Sequence, residues 1–193
     1  MNGLVQTADE LRRMSAAELV EVFEDSLTNR LREQAGEARL KHGGLRPGNL
    51  ETFLADRDCV RFPTRLVLEY GEMGLHQFAQ PEPDVRQSGG IMLYLRPAIG
   101  MRPDLLALAV SYMIPVINYG NLAGDEHCLA YGAVLLDLDP ETYYERICGL
   151  AGFVGAEELP ADDPDAHVPE QNAERPPATT TTGASCGSGC SCH

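Results

Sequence analysis

The chain lacks tryptophan, and only 6% of its 193 residues are aromatic. Basic residues are scarce as well: 15 Lys and Arg stand against 29 Asp and Glu, which gives a formal net charge of −14 at pH 7. A protein that binds nucleic acid needs a basic surface to meet the phosphates, so this balance argues against a nucleic-acid partner. It argues equally against docking on an anionic membrane surface.

Long hydrophobic runs are also missing, although 44% of the residues are hydrophobic. A bilayer span takes about 20 apolar residues, and the longest run, residues 105–117, is interrupted by Ser111, Tyr112 and Pro115. We predict that this run is a buried helix. The first ten residues lack the basic start and apolar stretch of a secretory signal. We therefore expect a cytoplasmic protein with reduced cysteines.

Neither a Gly-x-Gly-x-x-Gly motif nor a Walker loop is found, so nucleotide binding is not predicted. Near its start the chain shows a pattern typical of a long amphipathic helix over residues 7–41. Thr7 with Glu10 and Ser15 with Glu18 both match a capping box, which satisfies free N–H groups of a first helical turn. Apolar residues then recur every four positions, which predicts one buried face: Leu19, Phe23, Leu27 and Leu31.

The middle of the chain alternates between strand and helix patterns. Residues 64–70 and 75–80 are predicted to form an antiparallel hairpin, residues 91–96 a third strand and residues 127–138 a central fourth strand. Asp139 followed by Pro140 is typical of a helix start. The predicted fold is therefore α+β (mixed α/β), with a long N-terminal helix, a small mixed sheet of about four strands, a central buried helix and a C-terminal helix.

The composition changes after residue 155. Residues 1–155 are predicted to be one globular domain. Residues 156–185 are rich in Pro, acidic residues and Thr, and a segment with so little apolar surface is expected to be a disordered linker. Residues 186–193 are predicted to be a separate Cys/His-rich tail.

This tail is the strongest functional signal in the sequence, because half of the six cysteines lie in it. The tail offers three thiolates and one imidazole, from Cys186, Cys190, Cys192 and His193. These ligand types suit transition metals, and zinc most of all. The spacing Cys-x3-Cys-x-Cys-His differs from the two separated pairs of structural zinc sites. We therefore predict a soluble transition-metal-binding accessory protein whose tail holds the ion or transfers it to a protein partner.

The Thr, Ser and Cys residues of positions 179–193 also resemble the core peptides of ribosomally made, post-translationally modified peptides. The resemblance implies that these side chains become azoles or thioether rings, and that a partner modifies the tail. It further implies that the folded part is a leader domain, similar in outline to nitrile-hydratase-like leaders.

A second group of candidate ligands lies within the folded part. His76, Glu126, His127 and Cys128 offer imidazole, carboxylate and thiol groups, and with Glu126 as general base they would make a metal-dependent hydrolase. The alternative is that the histidines are ordinary half-buried residues and that Cys128 packs as a small apolar side chain.

The segment from residue 56 to residue 61 carries weaker signals. Cys59 is a further candidate thiolate, either as a metal ligand or as a nucleophile paired with His76. Asp56 and Asp58, together with Arg57 and Arg61, are predicted to form a solvated, salt-bridged surface.

Overall fold

A three-stranded sheet and six α-helices make up the described residues, 12–74 and 77–155, of this computed structural model. The helices are α1 (Ala16–His42), α2 (Leu50–Ala55), α3 (Pro97–Gly100), α4 (Pro103–Tyr119), α5 (Asp125–Leu135) and α6 (Pro140–Gly155). The strands are β1 (Thr64–Leu68), β2 (Ala79–Pro83) and β3 (Ile91–Leu95). The predicted α+β class is confirmed, but the described sheet has three strands where about four were expected.

Helix α1 begins at Ala16, directly after the predicted capping box of Ser15 and Glu18, so residues 12–15 do not belong to the helix that was predicted over residues 7–41. The Glu18 amide donates to Ser15 Oγ (3.3 Å), and the Ser15 amide donates to Glu18 Oε2 (2.7 Å). The helix ends at Gly43, whose φ of 69° lies in the left-handed region that glycine adopts without strain.

The prediction that the whole apolar stripe of α1 is buried is wrong. Leu27 and Leu31 are buried, but Leu19 and Phe23 are 40% and 44% exposed. Helix α1 packs mainly against α5, and α5 is much the shorter helix. At 1.5 Å per residue, α1 is about 40 Å long and α5 about 16 Å. The first turns of α1 therefore extend beyond the partner that would cover them.

The sheet has the order β1-β3-β2, with β1 parallel and β2 antiparallel to the central strand β3. The predicted hairpin between the first two strands is therefore wrong, because β3 lies between them. Strand β2 contains Pro81 and Pro83, which lack an N–H group and are tolerated at a sheet edge. Buried Arg96, at the end of β3, donates to the carbonyls of Gly74 and Gln77 (both 2.7 Å) and so holds the connection between β1 and β2.

Residues 127–138 do not form the predicted strand, since most of them lie in helix α5. A short continuous apolar run fits a buried strand and a buried helix equally well. Two contacts favour the helix. His127 Nδ1 accepts the Gly124 amide (3.1 Å) at its start, and the Leu138 amide donates back to the Ala133 carbonyl (2.9 Å) after its end.

Helix α4 is the central buried helix that the sequence predicts. Its buried side chains, among them Leu108, Val110 and Ile114, belong to the same core as side chains of α1, α5, α6 and the sheet. By length and composition Pro103–Leu122 passes as a membrane span, and 56% of its 18-residue apolar window is buried inside the fold. The apolar character of this helix is accounted for by its position in the core.

Two buried tyrosines provide a test of this core. The Tyr131 hydroxyl has no hydrogen-bond partner among the described residues, whereas the Tyr143 hydroxyl lies 3.0 Å from Ser111 Oγ. We expect Tyr131→Phe to stabilise the protein by about 1 kcal/mol, because it removes a buried polar group that makes no bond. Tyr143→Phe is expected to cost about 1 kcal/mol, because it breaks a bond. Urea unfolding gives the free energy of unfolding of each variant. Destabilisation by Tyr131→Phe would show that the Tyr131 hydroxyl is hydrogen-bonded.

Candidate metal centre

Three side chains of metal-ligand type meet near the C-terminal end of α1. His42 is the last residue of that helix, Asp56 directly follows α2, and Cys59 lies in the turn after it. Their ligand atoms all lie within 4.8 Å of one another. His42 Nε2 is 2.7 Å and Cys59 Sγ 3.6 Å from the same carboxylate oxygen, Asp56 Oδ2. We call His42, Asp56 and Cys59 the His–Asp–Cys trio.

The backbone around His42 is fixed by one asparagine. Asn49 Nδ2 donates to the carbonyls of His42 (3.2 Å) and Gly44 (2.8 Å), and its Oδ1 accepts the Arg46 amide (2.7 Å). The imidazole packs against the ring of Phe53, with 5.0 Å between ring centroids. The end of α1 and the start of α2 therefore position the His42 ring together.

Asp56 and Cys59 are brought onto the same side of a single turn by local hydrogen bonds. The amides of Cys59 and Val60 both donate to the Asp56 carbonyl, at 3.1 and 2.8 Å. Asn118, from the last turn of α4, then joins this turn to the core. Its Nδ2 donates to the Cys59 carbonyl (3.0 Å), and its Oδ1 accepts the Arg61 amide (2.9 Å).

The carboxylate of Asp56 is the electrostatic centre of the trio. Lys41 Nζ lies 2.7 Å from Asp56 Oδ2 and 2.8 Å from Asp58 Oδ2. The hydrogen bond from Lys41, followed by the one from His42, holds the pKa of Asp56 well below its usual value. An ionised carboxylate can only accept, so His42 Nε2 carries a hydrogen and donates it to Asp56.

The surroundings of Cys59 favour its protonated thiol form. Burial first, and then the negative charge of Asp56, raise the pKa of Cys59 to about 12, so its S–H donates to Asp56 Oδ2 at neutral pH. Reactive cysteines instead have a lowered pKa and an electropositive surrounding. A raised pKa of this kind does not favour Cys59 as a nucleophile. A bound cation would reverse this, because a coordinating thiol loses its proton.

A solvent-accessible cavity of about 290 Å³ lies beside the trio. Cys59, Lys41 and Asp58 line one part of it, and Glu37 of α1 contributes a further carboxylate. A hydrated ion has room in this cavity, so Cys59 is buried among side chains and yet adjacent to an entry route.

The four tail residues that the sequence nominates as ligands, Cys186, Cys190, Cys192 and His193, lie outside the described residues, as do His76 and the whole of positions 156–193. The predicted tail site and the resemblance to modified core peptides therefore stay predictions.

The three other members of the predicted second site lie on the first turn of α5. Glu126 is exposed, while His127 and Cys128 are 2% and 1% exposed. Both ring nitrogens of His127 have contacts: Nδ1 accepts the Gly124 amide, and Nε2 lies 3.1 Å from Glu24 Oε2. Within residues 12–74 and 77–155, the His–Asp–Cys trio is the one group of three or more ligand-type side chains that converges.

The sequence interpretation missed two of the three residues of the trio. The sequence assigned no functional role to His42 and placed Asp56 on a solvated surface, and Cys59 was only a weak candidate. The spacing Asp-x-x-Cys was an available signal, because residues three apart share one side of a helical turn. Nothing local in the sequence pairs His42 with that turn.

Comparison with known proteins adds no relative. No family model matches the chain, and no curated protein or solved structure matches it either.

Proposed function

We propose that this protein binds a divalent transition-metal ion at the His–Asp–Cys trio, and that zinc fits the site best. The observation that supports the proposal is the convergence of an imidazole nitrogen, a carboxylate oxygen and a thiol sulfur within 4.8 Å. Zinc takes these three donor types at about 2.0–2.3 Å, which leaves the ligand atoms of a tetrahedral site roughly 3.5 Å apart. Cys59 Sγ already lies 3.6 Å from Asp56 Oδ2, whereas His42 Nε2 and Asp56 Oδ2, now 2.7 Å apart, would have to separate to reach that spacing.

An ion at the trio would replace the hydrogens that now join His42 and Cys59 to Asp56. To coordinate through Nε2, His42 would give up the hydrogen that it now donates to Asp56, and its neutral ring would take the Nδ1–H tautomer by proton exchange with solvent. Cys59 would coordinate as a thiolate, so its proton would be released to solvent. Lys41 would still have Asp58 as a partner, because its ammonium already lies 2.8 Å from that carboxylate.

Three protein ligands leave the fourth position of a tetrahedral ion open to water or to a donor from another molecule. An open position beside a solvent-accessible cavity favours exchange of the ion over permanent retention. This is the behaviour of an accessory protein that holds or delivers a metal. It agrees with the separate prediction that Cys186, Cys190, Cys192 and His193 hold an ion for a partner, and with a cytoplasmic setting in which the thiols stay reduced.

Metal content and affinity test the proposal. The full chain is purified under reducing conditions without added metal, analysed for bound elements, and titrated with Zn²⁺ and with Co²⁺, whose absorption reports thiolate ligation. Loss of a residue that only supports a metal ligand typically weakens binding roughly 10–100-fold. Cys59→Ser and His42→Ala each change a proposed ligand, so each is expected to weaken binding by more than that. Cys148→Ser is the matched control, since Cys148 is an exposed thiol outside the trio. Circular dichroism confirms that each variant is folded.

Three results would contradict the proposal. Binding that survives Cys59→Ser and disappears in a chain ending at Arg175 would assign the metal to the tail. Binding that depends on His127 would assign it to the predicted second site. If the full chain bound neither ion, the trio would have only a structural role: its hydrogen bonds would join the end of α1 to the turn that carries Cys59.

A further inference from the structure

A cavity of about 520 Å³, separate from the one beside the trio, lies between the end of α4 and the edge strand β2. We call it the α4–β2 cleft. Its walls are mostly apolar, with contributions from six residues: Phe62, Pro81, Pro83, Ile91, Val116 and Leu122. Phe62 and Leu122 are 40% and 58% exposed, so the described part of the chain leaves much of their apolar surface in water. Small-molecule sites are mostly apolar and roughly 300–1,000 Å³ in volume, so the cleft has the size and lining of a ligand site.

The cleft is lined by one cation, Arg61. Its guanidinium stacks on the ring of Tyr119, 4.5 Å from the ring centroid, and the Tyr119 hydroxyl donates to Gln34 Oε1 (3.0 Å). The Arg61 amide donates to Asn118 Oδ1 (2.9 Å), which holds the backbone at this position. Within residues 12–74 and 77–155, no carboxylate forms an ion pair with Arg61. Arg61 is therefore held in place by its neighbours while its charge is left without a partner.

Of the residues that line the cleft only Glu82 is acidic, and its side chain lies on the far face of the sheet. In the pairing of β2 with β3, Pro81 is opposite the fully buried Leu93, and Glu82 is opposite Met92. Directly opposite residues share a face of the sheet, and neighbours along a strand point to opposite faces. Pro81 therefore faces the helices, while Glu82 lines the cleft with its backbone. The charge offered to a ligand is that of Arg61.

We propose that the α4–β2 cleft binds a small carboxylic acid with an apolar body. Stacking on Tyr119 covers one face of the Arg61 guanidinium and leaves its N–H groups, which lie in the plane, available to donate two parallel bonds to a carboxylate. The apolar body packs against Phe62, Leu122 and the prolines of β2, which removes their surface from water. A phosphate fits less well, because its second charge would meet no further cation. This inference does not depend on metal binding at the trio.

The test is a titration of the isotope-labelled, metal-free full chain with phenylbutyrate, followed by the amide signals in NMR spectra. Binding is expected at roughly millimolar concentration for a ligand of this size, with shifts at residues 61–62 and 120–122. Phenylbutyramide keeps the apolar body without the charge, and acetate keeps the charge without the body. Each of these two controls is expected to bind at least roughly tenfold more weakly than phenylbutyrate.

Variants of exposed residues separate the two parts of the site. Arg61→Gln is expected to weaken phenylbutyrate binding at least roughly tenfold, whereas Arg146→Gln, at an exposed arginine of α6, should leave it unchanged. Leu122→Ser is expected to weaken it severalfold, because it removes part of the apolar wall. Cys59→Ser should leave it unchanged, which distinguishes the cleft from a carboxylate that binds to an ion at the trio.

Several results would overturn the proposal. Equal binding of phenylbutyrate and phenylbutyramide would show that no charge is recognised, and equal binding of acetate would show that the apolar walls are not used. Wild-type affinity in Arg61→Gln, or the absence of shifts at residues 61–62 and 120–122, would place the ligand elsewhere. Loss of binding in Cys59→Ser would assign the carboxylate to the trio.

Discussion

Replacing Gly132 by alanine is expected to destabilise the protein by about 1–3 kcal/mol. A Cβ on Gly132 would lie 2.8 Å from Cε1 of Tyr143 and still closer to the ring carbon that bears the hydroxyl. Tyr143 is fully buried and its hydroxyl is bonded to Ser111, so the ring has no empty space to enter. Overpacking costs about 1–3 kcal/mol and loss of the hydrogen bond about 1 kcal/mol. Together these two costs outweigh the roughly 1 kcal/mol that alanine gains over glycine inside a helix.

Gly149 of α6 provides the matched control, because a Cβ there meets nothing within 4 Å. Gly149→Ala is expected to stabilise the protein by about 0.5–1 kcal/mol through helix propensity alone. Urea unfolding of both variants gives the two free energies. If Gly132→Ala also proved neutral or stabilising, α5 and α6 would have to be less tightly packed than the contact between Gly132 and Tyr143 implies.

The same contact shows why sequence alone misassigned α5. Residues 127–138 form an apolar run that satisfies a strand and a buried helix alike. The deciding interactions are tertiary: Gly132 lets Tyr143 approach the helix backbone, and the helix packs against α1. The ends of α1 and the start of α6 were predictable because Ser15, Gly43 and Asp139 act on neighbours within a few residues.

In the candidate site, too, some residues could be paired from the sequence and one could not. Asp56 and Cys59 converge through hydrogen bonds within one turn, so a sequence search for ligand pairs at helical spacing would find them. His42 reaches them only because Asn49 and Phe53 hold the end of α1 against α2, and no periodicity encodes that arrangement. The prediction that the whole apolar stripe of α1 is buried was wrong for a further reason. A repeat every four residues predicts a buried face, but it does not predict how much of that face a shorter partner helix covers.

Replacing Asn118 by alanine is expected to reduce stability and metal affinity together. Asn118 is 7% exposed, and it supplies the donor for the Cys59 carbonyl and the acceptor for the Arg61 amide. A buried polar group left without its partner costs about 1–3 kcal/mol, so we expect a loss of about 2 kcal/mol in the free energy of unfolding. The turn that carries Cys59 would no longer be held to α4.

Metal affinity separates a positioning role of Asn118 from a purely structural one. A ligand misplaced by the loss of its support typically costs roughly 10–100-fold in affinity, so Zn²⁺ titration of Asn118→Ala at a temperature where it stays folded should show a weakening in that range. Asn121→Ala, an exposed asparagine one turn later, should change neither quantity. Lower stability with wild-type affinity would mean that Asp56 and its local hydrogen bonds alone hold Cys59 in place. Because the amide of Asn118 reaches the trio only through the Cys59 backbone, a coupled loss ties the metal site to the central helix of the fold.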